Sequence, residues 1–272
     1  MRLSALLAGT GAALPAGDVE IKGISYDTRT IRPGELFVAL RGYKTDGHKY
    51  IGEAWRKGAA AVVCEEGEGL TVPDSRAALA VLSANWFGHP AEELNVVGIT
   101  GTNGKTTSTT LLYGVLMAVT GRKVGLIGTN RICVGEESFP AQRTTPESWD
   151  LQQWLRRMAD AGCSYVVMEV SSHALCLHRV DGIRFAVGAF TNLTQDHLDF
   201  HKTMEAYRAA KGRLFSQSGR AVLNLDDEAG REYAQTAPCP ALTYSERRDE
   251  ADLTAKNLRL LPFRTEFEAV GR

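Results

Sequence analysis

The segment Val96-Val-Gly-Ile-Thr-Gly-Thr-Asn-Gly-Lys-Thr-Thr107 joins an apolar run to a glycine-rich turn and then to the helical spacing Leu111, Leu112, Val115, Leu116, Val119. A buried strand, a turn and a helix in that order make a phosphate-binding loop. Gly101 and Gly104 let the backbone turn the N–H groups of the loop, from Gly101 through Thr102 and Asn103, toward phosphate oxygens, and the helix N-terminus adds partial positive charge. Lys105 would neutralise the β- and γ-phosphates, Thr106 would offer its hydroxyl to Mg²⁺, and Thr107 completes the loop. The spacing is a variant, because Ile99 stands where the common loop has its first glycine and glycines occupy 98 and 101 instead. The expected chemistry is ATP use. A glycine turn without a ligand is the competing reading, and the Gly-Lys-Thr placement argues against it.

Two further stretches carry chemistry at the ends of apolar runs. Val166-Val-Met-Glu-Val-Ser-Ser-His173 puts Glu169 where a metal on the loop-bound nucleotide would sit, and a carboxylate suits a hard, oxygen-preferring ion such as Mg²⁺. Phe190-Thr-Asn-Leu-Thr-Gln-Asp-His-Leu-Asp-Phe-His201 is a dense polar stretch containing Asp196, His197, Asp199 and His201. Spacing does not choose a ligand among these four, and either histidine could equally cap a helix or bond a carbonyl.

These residues need a scaffold that brings strand ends together. Apolar strands expected at 94–100, 123–128, 164–170, 185–191 and 220–225 alternate with helical stretches, the pattern of a parallel sheet covered on both faces. The helix at 150–162 shows this, with Leu151, Trp154, Leu155 and Met158 on one face, which reads as core. Before residue 88, Glu35-Leu-Phe-Val-Ala-Leu40 and Ala59-Ala-Ala-Val-Val-Cys64 flank the helical pattern Tyr50, Ile51, Ala54, Trp55 as a smaller α/β unit. A short helix is expected at the start, a second from Arg76 to about Phe87, and the punctuation Gly88-His-Pro90 suggests a boundary. The fold class is therefore α/β, a small N-terminal α/β domain at 1–88 followed by a phosphate-loop, mostly parallel, doubly wound domain at 89–272. Alternation from Leu253 to Leu260 and from Phe263 to Val270 predicts a hairpin.

Composition removes several classes. A net charge of −1 and a pI near 6.6 argue against a basic nucleic-acid surface. The 5 cysteines are odd in number, scattered and without a C-x-x-C pair, which reads as reduced thiols in the cytoplasm. The apolar run after Met1 is too short for a signal peptide, and no segment is long enough to span a membrane.

Taken in order, Gly101-Thr-Asn-Gly-Lys-Thr-Thr107, Thr144-Thr-Pro146, Glu169-Val-Ser-Ser-His173, Thr191-Asn-Leu…Asp196-His-Leu-Asp199 and Tyr207-Arg-Ala-Ala-Lys211 resemble the Mur ligases, and within them the UDP-N-acetylmuramoyl-tripeptide synthetases. Tyr26-Asp-Thr-Arg29, Arg32-Pro-Gly-Glu-Leu-Phe37 and Asp46-Gly-His-Lys-Tyr50 are similar to the region that holds the UDP-sugar in that family. The resemblance implies ATP-dependent amide-bond synthesis in peptidoglycan precursor assembly. The D-glutamate carboxylate of UDP-N-acetylmuramoyl dipeptide becomes an acyl phosphate, which an amino acid then displaces. Meso-diaminopimelate is expected ahead of L-lysine on family frequency alone. Such an enzyme serves cell-wall growth, cell shape and division from the cytoplasm and works as a monomer.

By the same resemblance, Thr106 and Glu169 hold one Mg²⁺ and His197 helps hold a second. Lys211, which read alone is a surface lysine, carries a CO₂-derived carbamate that converts a cation into an oxygen-bearing metal ligand. That chemistry requires a neutral amine, hence burial or neighbours that lower the lysine pKa. Tyr26 and Thr28, then Tyr43, Lys44 and Thr45, then Thr144 and Thr145 are implied contacts to the UDP-sugar peptide, with Ser171 and Arg179 at its peptide end. An arginine fork suits a carboxylate. Thr28 stands where serine is usual and Leu177 where glutamine occurs; the first keeps a hydroxyl and the second does not. The family also continues past residue 272 through a third, amino-acid-binding domain, so this chain is expected to be a C-terminally truncated ligase, inactive alone. A folylpolyglutamate synthase, which shares the loop and lysine, and a non-catalytic nucleotide or UDP-sugar binder are the competing readings.

Overall fold

The structure, a computed structural model, describes residues 1–14, 17–42 and 45–271. The chain divides into two compact units. The first contains residues 1–90, 146–156 and 177–182, the second residues 91–145, 157–176 and 183–272.

The first unit is a small three-layer α/β fold. Its elements are helix α1 (Leu3–Leu6), strands β1 (Ile24–Ser25) and β2 (Leu36–Val38), helix α2 (Ile51–Arg56), strands β3 (Ala61–Cys64) and β4 (Leu70–Thr71), and helix α3 (Ser75–Phe87). The four strands pair in sequence order, all parallel. Alternation sends Leu36, Val38, Ala61 and Val63 to one face, with Leu3 and Leu6 of α1 and Leu79 and Leu82 of α3. Phe37, Val62 and Cys64 go to the other, with Ile51 and Ala54 of α2. Each fully buried aliphatic side chain contributes roughly 1.5–3 kcal/mol. Asp74 caps α3 by accepting from the N–H groups of Arg76 and Ala77, and Gly88, left-handed at φ 69°, closes it.

The second unit is built on a ten-stranded sheet. In chain order it contains β5 (Asn95–Thr100), α4 (Lys105–Thr120), β6 (Val124–Ile127), β7 (Arg131–Val134), β8 (Glu137–Pro140), β9 (Tyr165–Glu169), α6 (Ser172–Cys176), β10 (Val187–Phe190), α7 (Leu198–His201), α8 (Met204–Ser216), β11 (Ala221–Asn224), α9 (Glu228–Thr236), β12 (Ala241–Ser245), β13 (Leu253–Leu261) and β14 (Arg264–Gly271). Helix α5 (Ser148–Asp160) spans residues assigned to both units. The strand order is β14-β13-β12-β11-β10-β5-β9-β6-β7-β8. Pairing is parallel from β13 through to β6, and antiparallel where β14 joins one end and β7 and β8 extend the other. The five expected parallel strands form within a residue or two of their predicted spans, and the hairpin at β13–β14 also forms. Sequence spacing does not anticipate β7, β8 or β12.

Helices cover both faces. Ile99, Leu126 and Val167 pack with Leu112 and Leu116 of α4, whereas Phe190 and Leu223 pack with Phe215 of α8 and Tyr233 of α9. Only part of the apolar pattern on α4 is used in this way, since Leu111, Val115 and Val119 are exposed. From β5 the sheet grows toward β9 on one side and β10 on the other. This makes β5 a topological switch point, the place where open α/β sheets gather their ligand chemistry beyond the strand carboxyl ends.

Close approach of backbone sets one sharp constraint. A Cβ on Gly230 in α9 would lie 1.8 Å from the carbonyl oxygen of Asn224 at the end of β11, whereas one on Gly114 in α4 would meet nothing within 4 Å. Gly230→Ala is expected to destabilise the chain by about 2–4 kcal/mol, and Gly114→Ala to stabilise it by roughly 0.5–1 kcal/mol. Urea unfolding of both variants checks this, and equal midpoints would contradict the α9–β11 packing.

Candidate nucleotide and metal site

The carboxyl ends of β5, β6, β9 and β10 deliver the loop, Thr129, Glu169 and the 191–201 segment to one edge of the sheet. At Gly101 the chain leaves β5 with φ 150°, and a Cβ there would lie 1.8 Å from Thr191 Oγ1, so only glycine fits. Gly104, at φ 83°, is the residue from which α4 starts. The loop is pinned to the segment after β10: Thr102 N–H donates to the Asn192 carbonyl at 2.8 Å and Asn103 N–H to Asn192 Oδ1 at 2.9 Å. Beyond this pinned pair, the N–H groups at Gly104, Lys105, Thr106 and Thr107 stand at the start of α4, where first-turn amides have no acceptor within the helix. Lys105 folds over the loop, Nζ donating to the carbonyls of Gly101 and Thr102 at 2.8 Å each. Burial pushes its pKa down, against the opposing pull of Glu169 and Asp196.

Glu169, the last residue of β9, is 1% exposed. Its carboxylate accepts from Thr106 Oγ1 at 2.9 Å, from Thr129 N–H at 2.8 Å and from Thr129 Oγ1 at 3.1 Å. A cavity of about 250 Å³ opens beside Thr106 and Glu169, lined also by Gly128, Asn130 and Arg131. Thr129 was not singled out by the sequence reading, although its place immediately beyond a parallel strand was the available signal. It connects onward: Thr129 Oγ1 lies 3.0 Å from Thr144 Oγ1, and Thr145 Oγ1 donates to the Glu169 carbonyl at 2.8 Å. Ser171 N–H in turn donates to Thr145 Oγ1 at 3.1 Å. Thr144, Thr145 and Ser171 thus form one hydroxyl network with Glu169.

Lys211 is not a surface lysine. It is 1% exposed, its Nζ donates to the Gly101 carbonyl at 2.8 Å, and it stands 4.4 Å from the centre of the Tyr207 ring. Burial, with Lys105 adding repulsion, lowers its pKa to about 7. A signal for this was present, because α8 buries Tyr207, Ala210, Lys211, Leu214 and Phe215, and position 211 falls within that helical stripe. The four ionisable residues of the 191–201 segment also separate. Asp196, His197 and Asp199 are exposed, and His197 adopts a left-handed backbone with φ 52°. His201 is buried, bonded through Nε2 to Ser172 Oγ at 2.8 Å, and its pKa is lowered to about 4 by burial and by neighbouring His173. Among the described residues no three of His, Cys, Asp and Glu converge as a metal cluster. Magnesium is compatible with that, since it keeps several waters and takes only one or two carboxylates beside phosphate oxygens.

The remaining predicted contacts lie in the first unit. Tyr26 hydroxyl donates to Asp150 at 2.8 Å, Thr28 is buried with its carbonyl accepting from Lys57 Nζ at 2.7 Å, and Thr45 Oγ1 meets the Tyr50 hydroxyl at 3.3 Å. Arg179 pairs with buried Glu147 at 2.8 Å, and Arg76 reaches the other oxygen of that carboxylate at 3.4 Å. Tyr43 and Lys44 lie outside the described residues. None of the 5 cysteines is in a disulfide, and among the described residues no helix is long and apolar enough to cross a membrane.

Comparison with known proteins agrees with this arrangement. A profile described as the Mur ligase middle domain matches residues 99–271, and one described as the Mur ligase family, catalytic domain, matches residues 20–100. UDP-N-acetylmuramoyl-L-alanyl-D-glutamate–2,6-diaminopimelate ligase of Bacillus velezensis is 46% identical over 267 residues, covering 93% of this chain and 54% of the relative. The enzyme of the same name from Clostridium botulinum is 44% identical over 261 residues, covering 92% of this chain and 54% of the relative. A solved structure of a ligase with that name superposes with a TM-score of 0.78 at 28% identity, covering 93% of this chain and 54% of that one. The chain spans about half the length of the curated relatives it matches. With loop, strand order and sequence in agreement, the chain belongs to the Mur ligase family.

Proposed function

We propose that this chain carries the UDP-sugar-binding and ATP-binding parts of a ligase that adds the third residue, meso-diaminopimelate, to UDP-N-acetylmuramoyl-L-alanyl-D-glutamate. The observation that carries the reading is the convergence of two amines, half-buried Lys105 and buried Lys211, on the Gly101 carbonyl beside the Thr106–Glu169 pair. Residues 1–88 would serve as the sugar-binding domain, residues 89–272 as part of the ATP domain.

The chemical problem is to bring a carboxylate to a polyphosphate. Lys105 neutralises phosphate charge, and the N–H groups at the start of α4 hold the transferring group in place. Thr106 and Glu169 offer oxygen donors for one Mg²⁺, and Glu169 is fixed for that task by Thr129. His197 and carbamylated Lys211 would hold a second. The metal ions supply charge neutralisation at the phosphate oxygens. The D-glutamate carboxylate attacks the γ-phosphorus, the bond to ADP breaks, and an acyl phosphate results. The incoming amine then attacks the acyl carbon, phosphate departs and the nitrogen loses a proton. Tyr26, Thr28, Tyr43, Lys44 and Thr45 would hold the sugar nucleotide, and Thr144, Thr145, Ser171 and Arg179 the peptide. The hydroxyl network from Thr144 to Glu169 supports a direct link between peptide position and metal position. We assign a cytoplasmic location and a monomeric state on the family resemblance.

The carbamate has its own support. A lysine with pKa about 7 supplies neutral amine at physiological pH. Its nitrogen attacks CO₂, an N–C bond forms and one proton is released, so the side chain becomes an oxygen-bearing anion.

Four outcomes follow from these assignments. MgATP at about 100 times its dissociation constant should stabilise the chain by roughly 2.7 kcal/mol, raising Tm by about 5–10 °C, and Lys105→Ala should abolish the shift. UDP-N-acetylmuramoyl-L-Ala-D-Glu should also raise Tm whereas folate should not; the reverse pattern would replace this reading by a folate ligase. In ¹³C-bicarbonate, NMR should show a carbamate signal in the wild-type protein that Lys211→Met lacks, and equal spectra would refute the modification. In CO₂-free buffer the wild-type lysine must carry a buried charge below about pH 7, while the unfolded chain stays protonated up to about 10.5. The wild-type protein therefore gains stability as pH rises from about 7 to 10.5. Lys211→Met should be the more stable protein at pH 6, with its advantage shrinking by pH 9 in parallel thermal melts.

A further inference from the structure

We propose that Ser172 and His201 act as a positioning pair that fixes the separation between the two metal-bearing segments of the site. The proposal rests on the reading of Glu169 and His197 as metal-holding residues. Each partner sits a short, rigid distance along the chain from one of them. Ser172 begins α6 three residues after Glu169, and His201 ends α7 one helical turn after His197, its N–H donating to the His197 carbonyl at 3.0 Å. The Ser172 Oγ to His201 Nε2 bond at 2.8 Å therefore joins the end of β9 to the segment following β10.

The bond is buried on both sides, Ser172 being 1% and His201 7% exposed, so water does not compete for either atom. The His201 ring also lies 4.9 Å from the Tyr207 ring, and Tyr207 in turn supports Lys211 and meets Thr102 Oγ1 through its hydroxyl at 3.3 Å. His173, next to Ser172, stacks edge-on to His197 with ring centres 4.9 Å apart. A single polar bond thus braces the groups that would present Glu169, His197 and Lys211. The sequence assigned none of this role to Ser172, and His201 was only one of four undecided residues. The pair acts through the segments it joins.

The test measures Mn²⁺ binding to the full chain by electron paramagnetic resonance, with a non-hydrolysable ATP analogue and bicarbonate present. Wild type is expected to bind two Mn²⁺ per nucleotide. Ser172→Ala should weaken the second Mn²⁺ by about tenfold or more while leaving the first within about twofold, the size of effect typical when a ligand loses its outer support. Ser172→Thr, which keeps the hydroxyl, should restore the second Mn²⁺ to within about threefold. His201→Phe keeps the aromatic packing and removes the ring nitrogens, so it should reproduce the Ser172→Ala result even if that variant folds poorly. If both variants bind two Mn²⁺ as wild type does, or lose Tm and both metals in equal measure, the pair is merely structural and the proposal is wrong. If wild-type protein itself binds nucleotide without Mn²⁺, the metal reading fails first and the pair's role falls with it.

Discussion

The turn at Gly101 is the constraint on which the site depends. With φ at 150° and Thr191 occupying the space a Cβ would need, the chain can leave β5 only as glycine. The same residue's carbonyl then receives Lys105 from the start of α4 and Lys211 from α8, two amines at 2.8 Å from one oxygen. Repulsion between them is tolerable because one carbonyl dipole faces both and because burial lowers the pKa of each. One loop carbonyl thereby gathers lysines from two different helices.

The parallel sheet supplies the rest. Because β5, β6, β9 and β10 run the same way, their carboxyl ends meet at one edge, and register places Ile99 beside Glu169 and Thr100 beside Phe190. Each loop then starts from a fixed height, so residues far apart in sequence arrive together: Thr106, Thr129, Thr144 and Glu169 share hydrogen bonds although they span more than one helix and several strands. Hydroxyls dominate this network. They satisfy the buried Glu169 carboxylate through neutral donors.

The first unit solves a different problem with the same layered logic. The first three of its four short parallel strands are buried throughout, and its polar residues are held by specific partners: Glu147 lies between Arg76 and Arg179, and Asp150 accepts from Tyr26. An arginine committed to a carboxylate has its planar fork held in place by that pairing.

Much of this was legible in the residues. Apolar runs and turns fixed the parallel strands, because a strand buried on both faces must be apolar along its length, and the Gly-Lys-Thr order fixed the phosphate loop, because only that order sets glycine torsions before a helix start. Motifs in series identified the family. What the residues could not express was pairing across distance. The β7–β8 hairpin, the meeting of Lys211 with the Gly101 carbonyl, the choice of His201 as the inward-facing member of its segment and its bond to Ser172 all depend on which surfaces meet after folding. A side chain's charge and hydrogen-bonding capacity are written in its type, but whether it faces water or a partner is decided only when the tertiary structure removes the water.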